Sequence, residues 1–197
     1  EASRQAGRDD RFAGEYEEAL DTPRDEVFTG EVERLKTLVE ECRVAAEDDC
    51  KMMAFLDEIV APILHGNPEE RILIFTEYRG TQDYIVEELA RRYGAGKVHV
   101  VNGSMDVDER RQSIATFEND GQFLVSTEAG GEGINLHRRC HILVNYDLPW
   151  NPMRLAQRIG RLYRYGQKLH VLAFNLQGVA SADDLIVSKM YERLEQV

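Results

Sequence analysis

Five short apolar segments, rich in β-branched residues, constrain this chain more than any other feature of its sequence. They are ILIFT (72–76), VHVV (98–101), FLVST (123–127), HILVNY (141–146) and HVLAFNL (170–176). Helical spacings of apolar residues alternate with them, at 80–93, at 106–119, from residue 151 onward and at 181–195. Unbroken apolar strands that alternate with helices form a parallel sheet with helices on both faces. The sequence therefore predicts an α/β domain over residues 71–197.

A mostly helical, acidic lead-in segment, residues 1–70, precedes the predicted sheet domain. It holds 20 Asp and Glu against 8 Lys and Arg, whereas the rest of the chain holds 16 of each, so the net charge of −12 comes from this segment. That charge does not argue against a nucleic-acid partner, because only local patches bind phosphates. Apolar spacing predicts helices at 28–46, with Thr29 as a candidate cap, and at 48–64. The second helix has a wide apolar face, and we expect it to pack on the sheet domain.

Composition narrows the cellular setting of the protein. No apolar run approaches the roughly 18 residues of a membrane span, and the first residues, EASRQAGRDD, do not resemble a signal peptide. The three cysteines, Cys42, Cys50 and Cys140, cannot all pair and show no CxxC spacing. We therefore expect a cytoplasmic protein without a membrane partner. Because the chain begins without Met, we also expect it to be part of a longer protein.

The stretch NPMRLAQRIGRLYRYGQ (151–167) combines four arginines with no acidic residue. Asn151 and Pro152 favour a helix start. At 100° per residue, one side of that helix carries Leu155, Ile159 and Leu162. The opposite side carries Gln157, Gly160, Arg161 and Arg164. Arginines around a glycine gap suit the close approach of an anion, with a solvated basic face as the alternative.

Three glycines follow the predicted strand at 123–127, in STEAGGEGINL (126–136). A tight turn and a phosphate-binding loop with bared backbone N–H groups explain them equally well. Ligands of parallel α/β sheets bind at the carboxyl ends of the strands, where 76–82, 126–136 and 145–152 all lie. The glycine loop and the arginine stretch together therefore favour an anion site at that edge.

Two other patterns suggest ligand sites but fail on spacing. ARRYGAGKV (90–98) lacks two residues that a P-loop requires, since Arg91 and Val98 occupy those positions, so its glycines are expected to end a helix. HRRCH (137–141) has no second ligand pair at metal spacing. We predict a loop that enters a strand there, and no metal site.

Residues 71–191 resemble the second RecA-like lobe of superfamily 2 helicases. They are most similar to the Swi/Snf-type DNA-translocating ATPases, and especially to bacterial members such as the one associated with RNA polymerase. The matching segments are ILIFTEY (72–78, motif IV), VNGSMDVDERRQSIATF (101–117), STEAGGEGINL (motif V) and NYDLPWNPMRLAQRIGRLYRYGQ (145–167, including motif VI). The resemblance implies a RecA-like parallel sheet with helices on both faces. Residues 50–70 look like the helix that precedes this lobe, and residues 1–50 match nothing in the family.

The resemblance also implies roles for individual residues. Arg161 and Arg164 correspond to arginines that reach ATP phosphates held by the first lobe, and Gln157 to a glutamine that orders the same cleft. These three are the expected catalytic residues. The residues expected to bind the nucleotide are Gly131, Gly133, Asn135 and Gly160. The residues expected to contact the nucleic-acid backbone are Thr76, Glu77, Gly103, Ser104 and Thr127.

The implied activity is that of the C-terminal lobe of an ATP-dependent, double-stranded-DNA translocase. The resemblance implies ATP and Mg²⁺ as cofactors, held mainly by an N-terminal lobe of the same protein. Residues 1–197 contain no P-loop, and no Asp-Glu magnesium motif follows a predicted strand. We therefore expect this chain to be inactive alone. The expected partners are that lobe, duplex DNA in the bacterial nucleoid, and a larger protein complex.

Two departures from the wider superfamily favour the Swi/Snf branch. Glu132 stands where many RNA helicases have arginine and many eukaryotic remodellers have leucine, and Asn135 stands where RNA helicases usually have aspartate. An RNA-helicase lobe stays open as an alternative. A non-catalytic module that binds nucleic acid or a protein partner is another, although the intact motif VI argues against it.

Overall fold

A five-stranded, all-parallel sheet forms the centre of the protein. The computed structural model describes residues 30–46, 49–131, 133–149 and 151–178. Strand order across the sheet is β2-β3-β1-β4-β5, and every neighbouring pair is parallel. The strands are β1 (Ile72–Thr76), β2 (Val98–Val101), β3 (Phe123–Thr127), β4 (Ile142–Asn145) and β5 (Leu172–Asn175). All five predicted strands are confirmed, and the α/β fold with them.

The helices from residue 50 onward cover the sheet as the alternating pattern predicts. Their ranges are α1 (Glu31–Ala46), α2 (Cys50–Ala54), α3 (Ala61–Gly66), α4 (Arg79–Tyr93), α5 (Val107–Asn119) and α6 (Pro152–Ile159). Asp106 caps α5 in a reciprocal capping box with Glu109, which fixes its first turn. Gly94 ends α4 at a φ of 98°, as predicted, and Gly96 lies in the 3₁₀ turn (Ala95–Lys97) that leads into β2. The predicted helix at 181–195 and the proposed Thr29 cap lie outside the described residues.

Each face of the sheet buries its own hydrophobic cluster. Side chains alternate along β1, so Ile72 and Ile74 join one cluster while Leu73 and Phe75 join the other. The first cluster lies beneath α4 and the segment 50–66, through Ile85, Leu89 and the residues of that segment. The second lies beneath α5 and the loop before β4, and its members include Phe117, Ile134, Leu136 and Leu162.

The second lead-in helix belongs to the same core as the sheet. It is continuous over 50–66, with a π-helical stretch (Phe55–Val60) between α2 and α3, and Asp49 caps its start. Met52, Phe55 and Val60 are almost completely buried, and the Phe55 ring meets Tyr146 edge-on at 5.6 Å. The prediction that this helix packs on the sheet domain is confirmed. The boundary drawn at residue 70 stays a prediction.

Helix α1 behaves differently from the rest of the lead-in. Its four apolar residues at helical spacing, Val32, Leu35, Leu38 and Val39, are between 41% and 54% exposed. The helix itself is confirmed within the predicted range 28–46, but its apolar stripe has no buried contact among the described residues. None of the described helices is long and apolar enough to cross a membrane.

The helix of the arginine stretch is shorter than predicted. Asn151 caps it as expected, with its side chain accepting from the Met153 N–H at 3.0 Å, but α6 ends at Ile159. Tight turns follow, in which Arg161 N–H donates to Arg158 O and Gln167 N–H donates to Arg164 O. The prediction of one helical face through Gln157, Gly160, Arg161 and Arg164 is therefore wrong. Gly160 closes the helix instead of leaving a gap in its side, because glycine is a poor helix former.

Close packing explains two glycines of the loop that follows β3. A Cβ on Gly131 would lie 2.5 Å from the Phe75 ring, and one on Gly130 would lie 2.5 Å from the Cα of Asn102. Both glycines are buried. The glycine loop is thus required where β1, β2 and β3 approach one another, whatever it binds.

We predict that Gly130→Ala destabilises the protein by about 1–3 kcal/mol, because its methyl group collides with backbone atoms that cannot move aside. Gly80 offers the matched control, since it lies in α4 with open space at its Cβ position. Gly80→Ala should stabilise by up to about 1 kcal/mol through helix propensity. Urea unfolding of the two variants measures both changes, and equal effects would contradict the packing argument.

Candidate functional site

The carboxyl ends of three central strands lie side by side. Thr76 and Thr127 are register partners and end β1 and β3, and Asn145 ends β4. The segments that sequence analysis placed at this edge, after β1 and β3 and between β4 and α6, do meet here. Their polar groups form one connected network.

A buried arginine holds that network together. Arg158 is only 1% exposed, and its guanidinium lies 5.1 Å from the centre of the Phe75 ring. Its Nε donates to Glu128 Oε2 at 2.8 Å, and its Nη2 lies 2.7 Å from the same oxygen. Its Nη1 donates to Asn145 Oδ1 at 3.0 Å and to the Asp147 carbonyl at 2.9 Å. A guanidinium with this many partners can be buried at tolerable cost.

Sequence analysis assigned no role to Arg158, although a signal was present. Arg158 follows Leu155 by three positions and precedes Leu162 by four, so it lies on the predicted apolar side of the helix. A charged side chain on a buried face needs a partner, and an unassigned acid in the glycine loop, Glu128, provides one.

Asp147 extends the network to the lead-in helix. Its Oδ2 accepts a short hydrogen bond from Thr76 Oγ1, and its Oδ1 accepts from Lys51 Nζ at 3.1 Å. Lys51 also lies 4.8 Å from the centre of the Tyr146 ring. The loop between β4 and α6 is therefore tied to both β1 and α2.

The two threonines that were expected to contact nucleic acid have buried side chains. Thr76 and Thr127 are both 0% exposed. The Thr76 hydroxyl donates to Asp147, and the Thr127 hydroxyl accepts from the Gly130 N–H at 3.4 Å. The structure thus gives both hydroxyls an internal role at this edge.

Glu77, also expected to contact nucleic acid, is half-buried beside two arginines. Its Oε1 lies 4.0 Å from Arg154 Nη1. Burial raises the pKa of Glu77 above the ordinary glutamate value, and the nearby carboxylates Glu128 and Asp147 raise it further, while Arg158 and Arg154 act in the opposite direction. A partly buried carboxylate in acidic company repels phosphates, so Glu77 fits this network better than a phosphate contact.

Gly103 and Ser104 lie in an accessible turn after β2, and arginines from α4 and α5 approach that turn. Ser104 is exposed, and its Oγ lies 2.6 Å from Arg79 Nη1, which donates to it. Arg79 also donates to Asn102 Oδ1 at 3.2 Å, and Arg110 Nη2 donates to the Gly103 carbonyl at 3.3 Å. Sequence analysis missed Arg79, which follows motif IV directly. Two arginines around an exposed hydroxyl form a surface suited to phosphate.

Three motif VI residues were expected to be catalytic: Gln157, Arg161 and Arg164. Within the described residues, their side chains form no hydrogen bond or ion pair with the buried network that their neighbour Arg158 holds together. Gln157 and Arg164 are exposed, and Arg164 Nε donates to the Gly160 carbonyl at 3.0 Å. Arg161 is half-buried, yet its side chain has no hydrogen bond or ion pair within the described ranges. An arginine in this state is available to an anion. The described residues contain no group of three or more His, Cys, Asp or Glu side chains that could hold a metal ion.

The remaining expected nucleotide contacts lie in the second half of the glycine loop. Gly133 is exposed, has a φ of 79° and has open space at its Cβ position, so it turns the chain without packing against it. Asn135 is also exposed, between the buried side chains of Ile134 and Leu136. Glu132 lies outside the described residues. Gly133 and Asn135 are therefore accessible to a ligand, whereas Gly131 is not.

A parallel RecA-like sheet with this loop and arginine run defines the C-terminal lobe of a helicase-type ATPase. Residues 51–166 match the family described as helicase conserved C-terminal domain. The chain belongs to that family, and the match begins inside the lead-in helix that packs on the sheet.

Relatives and solved structures place the chain within the Swi/Snf-type branch. It is 40% identical over 126 residues to the uncharacterized ATP-dependent helicase YqhH of Bacillus subtilis, covering 64% of this chain and 22% of that protein. It is 29% identical over 152 residues to the DNA repair and recombination protein RAD54B of Mus musculus, covering 75% and 16% respectively. The Sulfolobus solfataricus SWI2/SNF2 ATPase core domain superposes with a TM-score of 0.59 at 26% identity, covering 72% of this chain and 28% of that one.

The chain spans about a fifth of the length of the curated relatives it matches. It carries a helicase C-terminal domain of the kind found in Swi/Snf-type ATP-dependent helicases, and the resemblance inferred from the motifs is confirmed.

We predict that Arg158→Met destabilises the protein by about 3–5 kcal/mol, because it leaves Glu128 partly buried without its cation and unpairs two further acceptors. Arg91→Met makes the same chemical change on the surface, where Arg91 pairs with Glu88 on α4. That variant should lose less than about 1 kcal/mol. Denaturant unfolding distinguishes the two, and a small loss for Arg158→Met would show that the buried network does not stabilise the fold.

We predict that Glu77→Gln stabilises the protein at neutral pH and that this gain fades in acid. Because the pKa of Glu77 is higher in the folded protein than in the unfolded chain, wild-type stability falls as pH rises from the ordinary glutamate value through the raised value. Glutamine removes that loss. Urea unfolding at several pH values measures the gain, with the exposed Glu87→Gln as a control on α4. A gain that did not depend on pH would contradict the shift.

Proposed function

We propose that this chain is the second lobe of an ATP-dependent, double-stranded-DNA translocase, and that it supplies arginines to ATP held by an N-terminal lobe of the same protein. The observation that carries the proposal is the half-buried Arg161, which lacks a partner among the described residues, with the exposed Arg164 one turn beyond. Burying a cation without a partner is costly. Such an arginine is best explained by an anion that arrives with another domain or ligand.

ATP fits these residues by chemistry and by charge. Two guanidiniums can offer paired N–H donors to phosphate oxygens, and no carboxylate in the described residues competes for them. When ATP and Mg²⁺ are bound, the metal supplies charge neutralisation at the phosphates, and its ligands are expected in the N-terminal lobe. Arg161 and Arg164 would then stabilise the charge that develops on the transferred phosphoryl group, while Gln157, Gly160, Gly133 and Asn135 line the same cleft.

Duplex DNA is the proposed substrate at the carboxyl edge of the sheet. Support comes from the exposed Ser104 turn with Arg79 and Arg110, which presents cations and a hydroxyl to a phosphate backbone. RAD54B is described as a DNA repair and recombination protein, which favours DNA over RNA by analogy. We also propose a cytoplasmic, nucleoid-associated location, in keeping with a DNA substrate and free cysteines. Stimulation of the full-length ATPase by RNA in place of DNA would support the RNA-helicase alternative.

In the full-length protein, we predict that Arg164→Ala lowers ATP turnover by about 10³-fold or more while changing DNA affinity little. An arginine that stabilises the transferred phosphoryl group contributes on this scale, and Arg164 is not part of the proposed DNA contact. Steady-state phosphate release and DNA titration measure the two quantities. Arg91→Ala is the matched control. Arg91 is an exposed arginine in the last turn of α4, away from the proposed nucleotide contact, and its loss should leave turnover unchanged.

The isolated chain gives the complementary arm of this experiment. Purified residues 1–197 should release no phosphate from ATP, because the proposed P-loop and magnesium ligands belong to the other lobe. Turnover by the isolated chain that Arg161→Ala abolishes would contradict the two-lobe proposal. Equal losses of turnover and DNA affinity in Arg164→Ala would contradict the nucleotide role.

A further inference from the structure

Basic residues are concentrated in one part of this acidic chain. Residues 133–178 contain seven Lys and Arg but a single acid, Asp147, although the whole chain carries a net charge of −12. Two of the seven are occupied within the carboxyl-edge network, since Arg158 pairs with Glu128 and Arg154 lies near Glu77. The other five are Arg138, Arg139, Arg161, Arg164 and Lys168.

None of these five cations has a carboxylate partner within the described ranges. The exposed Arg79 is in the same state, because its guanidinium donates to Asn102 and Ser104. Other surface cations are paired with an acid, such as Lys36 with Glu33, Arg92 with Asp57 and Lys97 with Asp120. Arg161 and Arg164 are explained by the proposed nucleotide. Arg138, Arg139 and Lys168 have no role in that proposal, and all three are exposed.

The structure brings together the two chain segments that carry these three exposed cations, although about thirty residues separate the segments. Gln167 Nε2 donates to the Cys140 carbonyl at 3.0 Å, which joins the loop before β4 to the loop before β5. The Leu136 N–H donates to the Arg161 carbonyl at 3.4 Å, which is a second tie between the same loops. The backbones beside Arg139 and Lys168 are thus held together. We call Arg138, Arg139, Lys168 and the fully exposed Tyr165 the amino-edge basic surface.

This surface lies at the opposite edge of the sheet from the carboxyl-edge network and the Ser104 turn. Arg139 precedes β4 and Lys168 precedes β5, so both lie at the amino ends of those strands. Thr76, Thr127 and Ser104 lie at or beyond carboxyl ends. A strand of four residues spans roughly 13 Å, so the two regions are separated by at least the depth of the sheet.

We propose that the amino-edge basic surface binds the phosphate backbone of a duplex nucleic acid, as a second contact beyond the one at the carboxyl edge. No internal carboxylate competes with phosphate for these exposed cations. A bound nucleic acid can therefore release counterions through each of them. Tyr165 adds a hydroxyl that can donate to a phosphate oxygen. Phosphate contacts of this kind are independent of sequence and strengthen as salt is lowered. The proposal needs neither ATP nor the nucleotide role of Arg161 and Arg164.

The test is the salt dependence of duplex binding by the 197-residue chain, followed by fluorescence anisotropy with a mixed-sequence DNA. The variant is Arg138→Gln/Arg139→Gln/Lys168→Gln. If each side chain contacts one phosphate, the negative slope of log Kobs against log salt should become shallower by about 3, because each contact contributes about −0.9. Tyr165→Phe should weaken binding without changing the slope, since it removes a hydroxyl and no charge.

The matched control is Arg91→Gln/Arg92→Gln/Lys97→Gln. It removes the same charge from the same edge of the sheet, next to β2, but Arg91, Arg92 and Lys97 each pair with an acid. This control should keep at least two-thirds of the wild-type slope. Equal losses in the two variants would show that only the net charge matters, and would overturn the proposal. Unchanged binding by the Arg138→Gln/Arg139→Gln/Lys168→Gln variant would also overturn it. So would the absence of salt-dependent binding by the wild-type chain.

A polyglutamate competitor separates nucleic acid from an acidic protein partner. At equal charge concentration it should displace the duplex poorly, because carboxylates lack the phosphate spacing of DNA. The proposal would be overturned if polyglutamate displaced the duplex as strongly as unlabelled duplex does and if this displacement were lost in the Arg138→Gln/Arg139→Gln/Lys168→Gln variant. That result would assign the surface to acidic proteins.

Discussion

The burial of Arg158 is the interaction on which the functional edge of this protein depends. A guanidinium that is 1% exposed loses nearly all of its hydration, and the loss must be offset by contacts made inside the protein. Glu128 provides the charge, Asn145 and the Asp147 backbone provide acceptors, and the Phe75 ring covers one face. These partners come from the ends of β1, β3 and β4. One side chain therefore fixes three strand ends and the loop into α6 before any ligand arrives.

The same network makes the lead-in helix part of the site. Asp147 is held on one side by Thr76 and on the other by Lys51, and the helix that carries Lys51 buries Met52, Phe55 and Val60 in the core of the sheet. A displacement of that helix would move Asp147, whose backbone carbonyl accepts from Arg158. The helix thus supports the loop between β4 and α6 through both packing and charge. Helix α1, with its apolar residues exposed, has no comparable connection in the described residues.

Local patterns in the sequence were sufficient for the strands, because buried parallel strands are short, apolar and β-branched, and each one here matches its predicted segment. They were not sufficient for α6. Helical spacing continues past Ile159, but the backbone turns at Gly160, and periodicity alone does not register that change. The pairing of Arg158 with Glu128, thirty positions away, is a tertiary contact that no local pattern encodes. The burial of Thr76 and Thr127 has the same origin, since motif position predicted a role at this edge but not which atoms face outward.

Pairing, more than the number of charges, distinguishes the arginines of this lobe. Arg158 and Arg161 are three residues apart and have the same side chain, yet one is enclosed by acceptors and the other has none in the described part of the chain. A paired, buried arginine contributes to the fold, and any substitution there disturbs the geometry of every neighbour. An unpaired one keeps its charge for an external anion and contributes little to folding. Effects on stability and on binding should therefore separate cleanly between these two neighbours, even though a count of basic residues treats them alike.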